Sequence, residues 1–280
     1  MTRLRAQRLT VGYDRRTVSA DLDLAIPDGR FTVIVGPNAC GKSTLLRALA
    51  RLLVPAAGQV VLDGKAIHAY PAREVARRLG LLPQSSVVPE GIPVAELVAR
   101  GRFPHQRLLR QWSRADEAAV VAAMVATGVT ELAGEPVDTL SGGQRQRVWV
   151  AMVLAQQTPI MLLDEPTTFL DIAHQVELLE LCLRLNRDQG TTMVAVLHDL
   201  NHACRYADHV VLMHGGRVVA EGGPAEVVTA ERVEAVFGLR CRIIPDPETG
   251  TPLVIPRAGD LHRTPAVPER KAQDVQQPVR

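Results

Sequence analysis

Three features of the sequence predict an α/β fold built on a parallel-rich sheet. Short apolar runs alternate with amphipathic segments of helical length, a glycine-rich loop leads from one such run into a helix, and a second run ends in paired acids. Apolar strands separated by helices need cover on both faces, the arrangement of a parallel sheet between helical layers. Strands are expected near residues 4–10, 18–26, 31–35, 58–62, 79–82, 160–163, 192–197 and 210–213. Helical patterns fill 42–53, 94–101, 114–127, 142–157, 172–189 and 200–207. The runs at 4–10, 18–26 and 58–62 have short turns between them, which predicts a separate antiparallel layer. From about 85 to 157 the pattern is mostly helical, the mark of a helical subdomain inserted into a domain spanning 1–256. Residues 257–280 are polar and proline-bearing without periodicity, as in a flexible tail. No internal repeat is visible, which excludes a chain carrying two copies of the domain.

Composition narrows the function. With 46% hydrophobic residues among 280, the chain can bury a sizeable core. Its 32 basic and 30 acidic residues leave a formal charge of +2, too balanced for an electrostatic grip on nucleic acid. Only Lys42, Lys65 and Lys271 are lysines, so a lysine inside a motif carries weight. The cysteines at 40, 182, 204 and 241 form no C-x-x-C pair and suggest reduced thiols rather than a zinc site or disulfide framework. The first residues carry charge without an apolar stretch, so no secretory signal is expected. The most apolar window, 118–129, is too short to span a bilayer.

The most specific motif is Gly36-Pro37-Asn38-Ala39-Cys40-Gly41-Lys42-Ser43-Thr44, which follows the run 31–35 and opens a helix. That is the context the G-x-x-x-x-G-K-[ST] pattern requires. Converging backbone amides cradle phosphates, and the helix N-terminus adds its dipole. Lys42 is placed for the β- and γ-phosphates of ATP or GTP and Ser43 for Mg²⁺. Leu140-Ser141-Gly142-Gly143-Gln144 opens a second helix. It reads first as a capping box, with Ser141 and Gln144 satisfying each other's backbone amides. A capped, glycine-flanked helix start is also an anion site, so the nucleotide is expected to be gripped from two sides. The run at 160–163 ends in Asp164-Glu165. An acid at such a strand tip can hold Mg²⁺ through water, and its neighbour can serve as general base.

These motifs, in this order and followed by a strand ending at His198, resemble the ATP-binding cassette (ABC) subunits of transporters from about residue 4 to 256. The 140–144 signature separates that family from kinases and GTPases. The resemblance implies a head-to-tail homodimer holding two ATPs, each between one copy's P-loop and the other copy's Ser141-Gly142-Gly143. It also implies that Tyr13 stacks on adenine, Gln84 senses Mg²⁺ and water, Leu170 and Asp171 contact the partner copy, and His198 touches the γ-phosphate. Read plainly, Asp171 is also a helix N-cap. Ala39 departs from the family's usual glycine and is strained if the site needs positive φ.

Segments 94–106, 167–175 and 196–207, with 240–244 and 250–254, resemble importers of ferric siderophores, the ferric-enterobactin type in particular. The resemblance implies an ATPase peripheral to the cytoplasmic face of the inner membrane, acting on integral permease subunits and, through them, with an extracytoplasmic siderophore-binding protein. Cobalamin or haem uptake is the alternative cargo. DNA-organising ATPases would carry a long coiled coil between the motifs, and ribosome-acting relatives two cassettes. A soluble cluster-assembly ATPase shares the single cassette and differs in the importer-like segments.

Overall fold

The computed structural model describes residues 2–14, 16–84, 90–106 and 112–257. The first half runs β1 (Leu4–Tyr13), β2 (Arg16–Ile26), β3 (Phe31–Val35), α1 (Lys42–Leu49), β4 (Ala57–Leu62) and β5 (Lys65–Ala66). Next come α2 (Ala72–Ala76), β6 (Leu79–Leu82), α3 (Val94–Ala99), α4 (Arg114–Ala126) and α5 (Gly142–Ala155). Then follow β7 (Ile160–Asp164), α6 (Ile172–Gln189), β8 (Thr192–Val196), α7 (Leu200–Tyr206), β9 (His209–His214) and β10 (Arg217–Gly222). The last elements are α8 (Pro224–Val227), α9 (Ala230–Phe237), β11 (Cys241–Pro245) and β12 (Pro252–Pro256).

The central sheet has the order β10-β9-β3-β8-β7-β6, parallel except for the β9–β10 pair. Its strands β3, β7 and β8 are buried along their whole length, which explains their predominantly apolar composition. The antiparallel layer has the order β2-β1-β4-β5. One core lies between that layer, α1 and one face of the central sheet, around Leu9, Leu45, Leu49 and Val196. A second covers the other face with α6, α7 and α9, around Phe31, Leu179, Cys204 and Val233.

The helices between β6 and β7 have their own apolar core, including Ile92, Leu97, Met124 and Val148. A buried ion pair binds them: Arg102 Nε donates to Asp116 Oδ1 at 2.8 Å, with side chains 6% and 9% exposed. The same guanidinium donates to Ala155 O and Gln157 Oε1. Asp116 also closes the capping box of α4 with Ser113. Hydrogen bonds from Ser113 and Arg102 hold the Asp116 carboxyl below the usual range. On the sheet side, Arg73 of α2 and Arg77 at its C-terminal cap both donate to the carbonyl of Pro104, at 2.9 and 2.7 Å.

Most expected elements appear within a few residues of their predicted ends. The helix predicted over 42–53 stops at Leu49, because Arg51 takes φ 65° and Leu52 N donates back to Arg47 O at 2.8 Å. That is a Schellman ending with arginine where glycine is usual. Strand β10, helices α2, α8 and α9 and the terminal hairpin add to the expected set. The expected tail, 257–280, lies outside the described residues from 258 onward, as do 85–89 at the start of the expected helical insertion. Among the described residues no helix is long and apolar enough to cross a membrane.

Candidate active site

Strand β3 delivers the chain from the sheet into the loop 36–41, and α1 starts at Lys42. A side chain at Gly36 would bring its Cβ within 2.2 Å of Met213 O, so the loop can turn here only with glycine. Gly41, the N-cap of α1, has φ 105° and offers no side chain to the helix amides. No side chain caps these N–H groups, the condition for an anion site at a helix start. Lys42 is buried, and its Nζ donates to Gly36 O at 2.8 Å and Pro37 O at 3.0 Å. Ala39 takes φ 61°, the strained conformation anticipated for a non-glycine residue there. The Cys40 thiol is pushed up by burial despite nearby Lys42, which keeps it protonated and unreactive. All four cysteines are buried and free, and burial pushes Cys182 and Cys204 to about 12.

The loop opens into a cleft of about 980 Å³ lined by Tyr13, Asn38, Ala39, Gly41, Lys42, Ser43, Thr44, Gln84, Glu165 and His198, among others. Two distant segments converge on one carboxylate in its lining. Gln84, two residues after β6, donates from Nε2 to Glu165 Oε2 at 2.8 Å. His198, two residues after β8, brings Nε2 to 2.7 Å from Glu165 Oε1. Parallel strands β6, β7 and β8 end at the same edge of the sheet, which is why residues 84, 165 and 198 can meet. Glu165 takes φ 54°, a left-handed conformation that costs on the order of 1 kcal/mol and typically marks a functional turn.

Asp164, at the tip of β7, accepts from Ser43 Oγ at 2.8 Å. Burial raises its carboxyl above the usual range, against the Ser43 hydrogen bond. A buried carboxylate and a serine hydroxyl in contact, with Gln84 lining the same cleft as Ser43, form a hard oxygen donor set. This set suits Mg²⁺, which prefers few protein ligands and completes its shell with phosphate and water. Among the described residues no three His, Cys, Asp or Glu side chains converge on a metal site.

The signature segment is built differently. Ser141 caps α5 by accepting from Gln144 N at 3.2 Å, while Gln144 Oε1 accepts from Ser141 N at 3.0 Å. Leu140 is buried, and Ser141 and Gly142 are exposed. None of 140–144 is among the described residues lining the P-loop cleft. Gly142 and Gly143 instead lie near Phe169 and Leu170. Phe169 is 77% and Ile172 78% exposed, flanking Leu170 and Asp171. Asp171 accepts from His174 N at 2.9 Å and so caps α6 as predicted.

Some residues in and beside the cleft were not singled out from the sequence. Arg47 donates from Nη1 to Tyr13 Oη at 3.1 Å. Its spacing of four from Ser43 on one helix was the available signal. Thr17, Val18 and the β9–β10 turn Gly215–Gly216 line the wall near Tyr13. Only their fold, not a motif, brings them there.

A phosphate-binding loop, a strand-end carboxylate pair and a sheet edge that gathers them define a P-loop nucleoside triphosphatase. Comparison with known proteins makes this specific. A family model described as ABC transporter matches residues 19–168. The ferric enterobactin transport ATP-binding protein FepC of Escherichia coli K12 is 61% identical over 256 residues, covering 91% of this chain and 94% of that protein. The achromobactin transport ATP-binding protein CbrD of Dickeya dadantii is 54% identical over 256 residues, covering 91% and 95%. The dimeric structure of MJ0796, a bacterial ABC transporter cassette, superposes with a TM-score of 0.71 at 26% identity, covering 79% of this chain and 98% of that one. The chain belongs to the ABC transporter family as an ATP-binding subunit, an ATPase coupled to transport.

Proposed function

We propose that this subunit powers uptake of a ferric siderophore through integral-membrane permease subunits, working as a homodimer at the cytoplasmic face of the inner membrane. The carrying observation is the grip of Gln84 and His198 on Glu165 in the lining of the P-loop cleft. The cargo rests on similarity to the enterobactin and achromobactin proteins, since the chelate never reaches this subunit. A siderophore-binding protein outside the membrane would meet it only through the permease. The cassette comprises 1–256, with a helical subdomain at about 85–157 that presses on the permease, and 257–280 as a tail.

In the proposed mechanism Tyr13 stacks on adenine and the amides of residues 36–44 wrap the phosphates. Lys42 leaves its carbonyl partners for the β- and γ-phosphates. Ser43 and Gln84, with Asp164 through water, would hold Mg²⁺, and the ion would supply positive charge to offset that developing on the phosphate oxygens. Glu165 accepts a proton from the attacking water as its oxygen bonds to the γ-phosphorus and the bond to ADP breaks. His198 holds the γ-phosphate in line. Ser141, Gly142 and Gly143 of the second copy close the site, and their amides stabilise the transition state. Leu170 and Asp171 lie beside that seam.

Uptake of radio-iron carried by a catecholate siderophore tests this in cells lacking the protein, complemented with wild type or Glu165→Gln. Wild type should restore uptake. The variant should bind ATP, hydrolyse it about 10²–10⁴-fold more slowly and leave uptake at background. Uptake independent of the protein would remove the iron assignment, and normal turnover by the variant would remove Glu165 as base.

A further inference from the structure

His198 is exposed, and its ring is held at its tip by Glu165. Its backbone lies between two anchors. On one side, Leu197 N donates to Ile34 O at 3.2 Å and ties the end of β8 to β3. On the other, three residues along, Asn201 clasps a residue 53 positions later in sequence. Asn201 Oδ1 accepts from Val254 N at 2.7 Å, and Nδ2 donates to Val254 O at 3.3 Å.

Both halves of the Asn201 amide are thus spent on the backbone of one residue. Val254 sits in β12, opposite Ile243 of β11. In an antiparallel pair the N–H and C=O of a given residue both point either toward the partner strand or away from it. Val254 points away, and Asn201 occupies the place a third strand would take. The hairpin belongs to neither large sheet, but Cys241 and Val254 are buried in the core that holds Ala203, Cys204 and Tyr206 of α7. Arg205 and Asp246 approach at 3.9 Å as a second tie between the same two elements. Asp199 caps the start of α7 by accepting from Asn201 N and His202 N. The first turn of α7 is therefore fixed to the terminal hairpin at the residue nearest His198 that can reach it.

We infer that Asn201 is a positioning residue for hydrolysis, through which the terminal hairpin 241–256 holds His198 in register with Glu165. The inference rests on the role proposed above for His198. Loss of the clasp frees one of the two anchors, so the imidazole visits its position over Glu165 for a smaller fraction of the time. Nucleotide affinity depends on the P-loop and Tyr13, which the clasp does not touch.

The test measures steady-state ATP turnover of the full chain for wild type, Asn201→Ala, Asn201→Asp, His198→Ala and the double variant N201A/H198A. Asn201→Ala should lower kcat about tenfold, because misplacing a group by a fraction of an ångström carries penalties of this order. KM for ATP should stay within about twofold. In the H198A background the same substitution should change kcat less than about twofold, because residues acting through one group are non-additive. Asn201→Asp keeps the shape and the bond from Val254 N, loses the bond to Val254 O, and should fall between wild type and Asn201→Ala. It carries the measurement if Asn201→Ala does not fold. Wild-type kcat in both Asn201 variants overturns the inference, as does an equal loss with and without His198. An H198A protein as active as wild type overturns the role of His198 and this inference together. An impaired H198A beside normal Asn201 variants overturns the inference alone.

Discussion

Helices α1 and α5 both begin at glycines, and both starts resemble anion sites in sequence. Their N-terminal turns are completed differently. At α1 no side chain caps the turn, and the buried Lys42 shares the cleft with Ser43 and Glu165, while Asp164 is bonded to Ser43 from behind. At α5 the turn is closed by Ser141 and Gln144. The nearby Arg145 is folded back onto the carbonyls of Asp138 and Leu140. One start is a receptor with its own cation and carboxylates; the other offers amides and a hydroxyl from an exposed turn. A site in the monomer and half a site on its surface are what a head-to-tail dimer requires.

Three substitutions probe this contrast. The largest effect is expected at Asp116, in the lobe that carries the α5 start. Asp116→Ala leaves the buried Arg102 guanidinium without its carboxylate and should cost about 3–5 kcal/mol in denaturant unfolding. ATP affinity of the P-loop side should survive in whatever fraction stays folded. The Asp116 carboxyl is held below its usual range, so its contribution is present above the unfolded pKa and lost as pH falls through the folded one. The gap between wild type and variant should therefore narrow in acid; a constant gap would contradict the ion pair.

Next in size is Ser141→Arg, which fills the exposed α5 turn. It should weaken ATP-driven dimerisation about a hundredfold, the scale of an interface hot spot, without changing ATP affinity of the monomer. Sedimentation with the slow Glu165→Gln background reads both, and a dimer that still closes would sink the shared site. The smallest effect is at Ala39→Gly in the α1 loop. Removing a Cβ at φ 61° should raise stability by about 0.5–1 kcal/mol, read as a shifted denaturant midpoint, with ATP affinity within twofold.

Regions whose pattern is dictated by burial were legible in the sequence. Strands β3, β7 and β8 are mostly apolar because both their faces are covered, one by α1 and the antiparallel layer and the other by helices. Strand β10 alternates between exposed and half-buried positions at the sheet edge, too faint a pattern to stand out. The end of α1 was hidden because Arg51 occupies a left-handed position with no sequence mark. The P-loop could be read from chemistry alone. The meeting of Gln84, Glu165 and His198 could not, since no local pattern joins residues 81 and 33 positions apart; family resemblance gave each a role at the ATP site, but not their contact. The clasp of Asn201 on Val254 was silent because a half-buried asparagine early in a helix looks like any polar surface residue.

The convergence of Arg73 and Arg77 on the Pro104 carbonyl has a mechanical meaning. Both acceptor lone pairs of one oxygen are engaged from one helix of the sheet domain. Two tethers meeting at a single atom constrain separation strongly and orientation weakly, the property of a ball joint. If the proposed dimer closes on ATP, such a joint would let the helical lobe turn at Pro104 without parting from the sheet domain there.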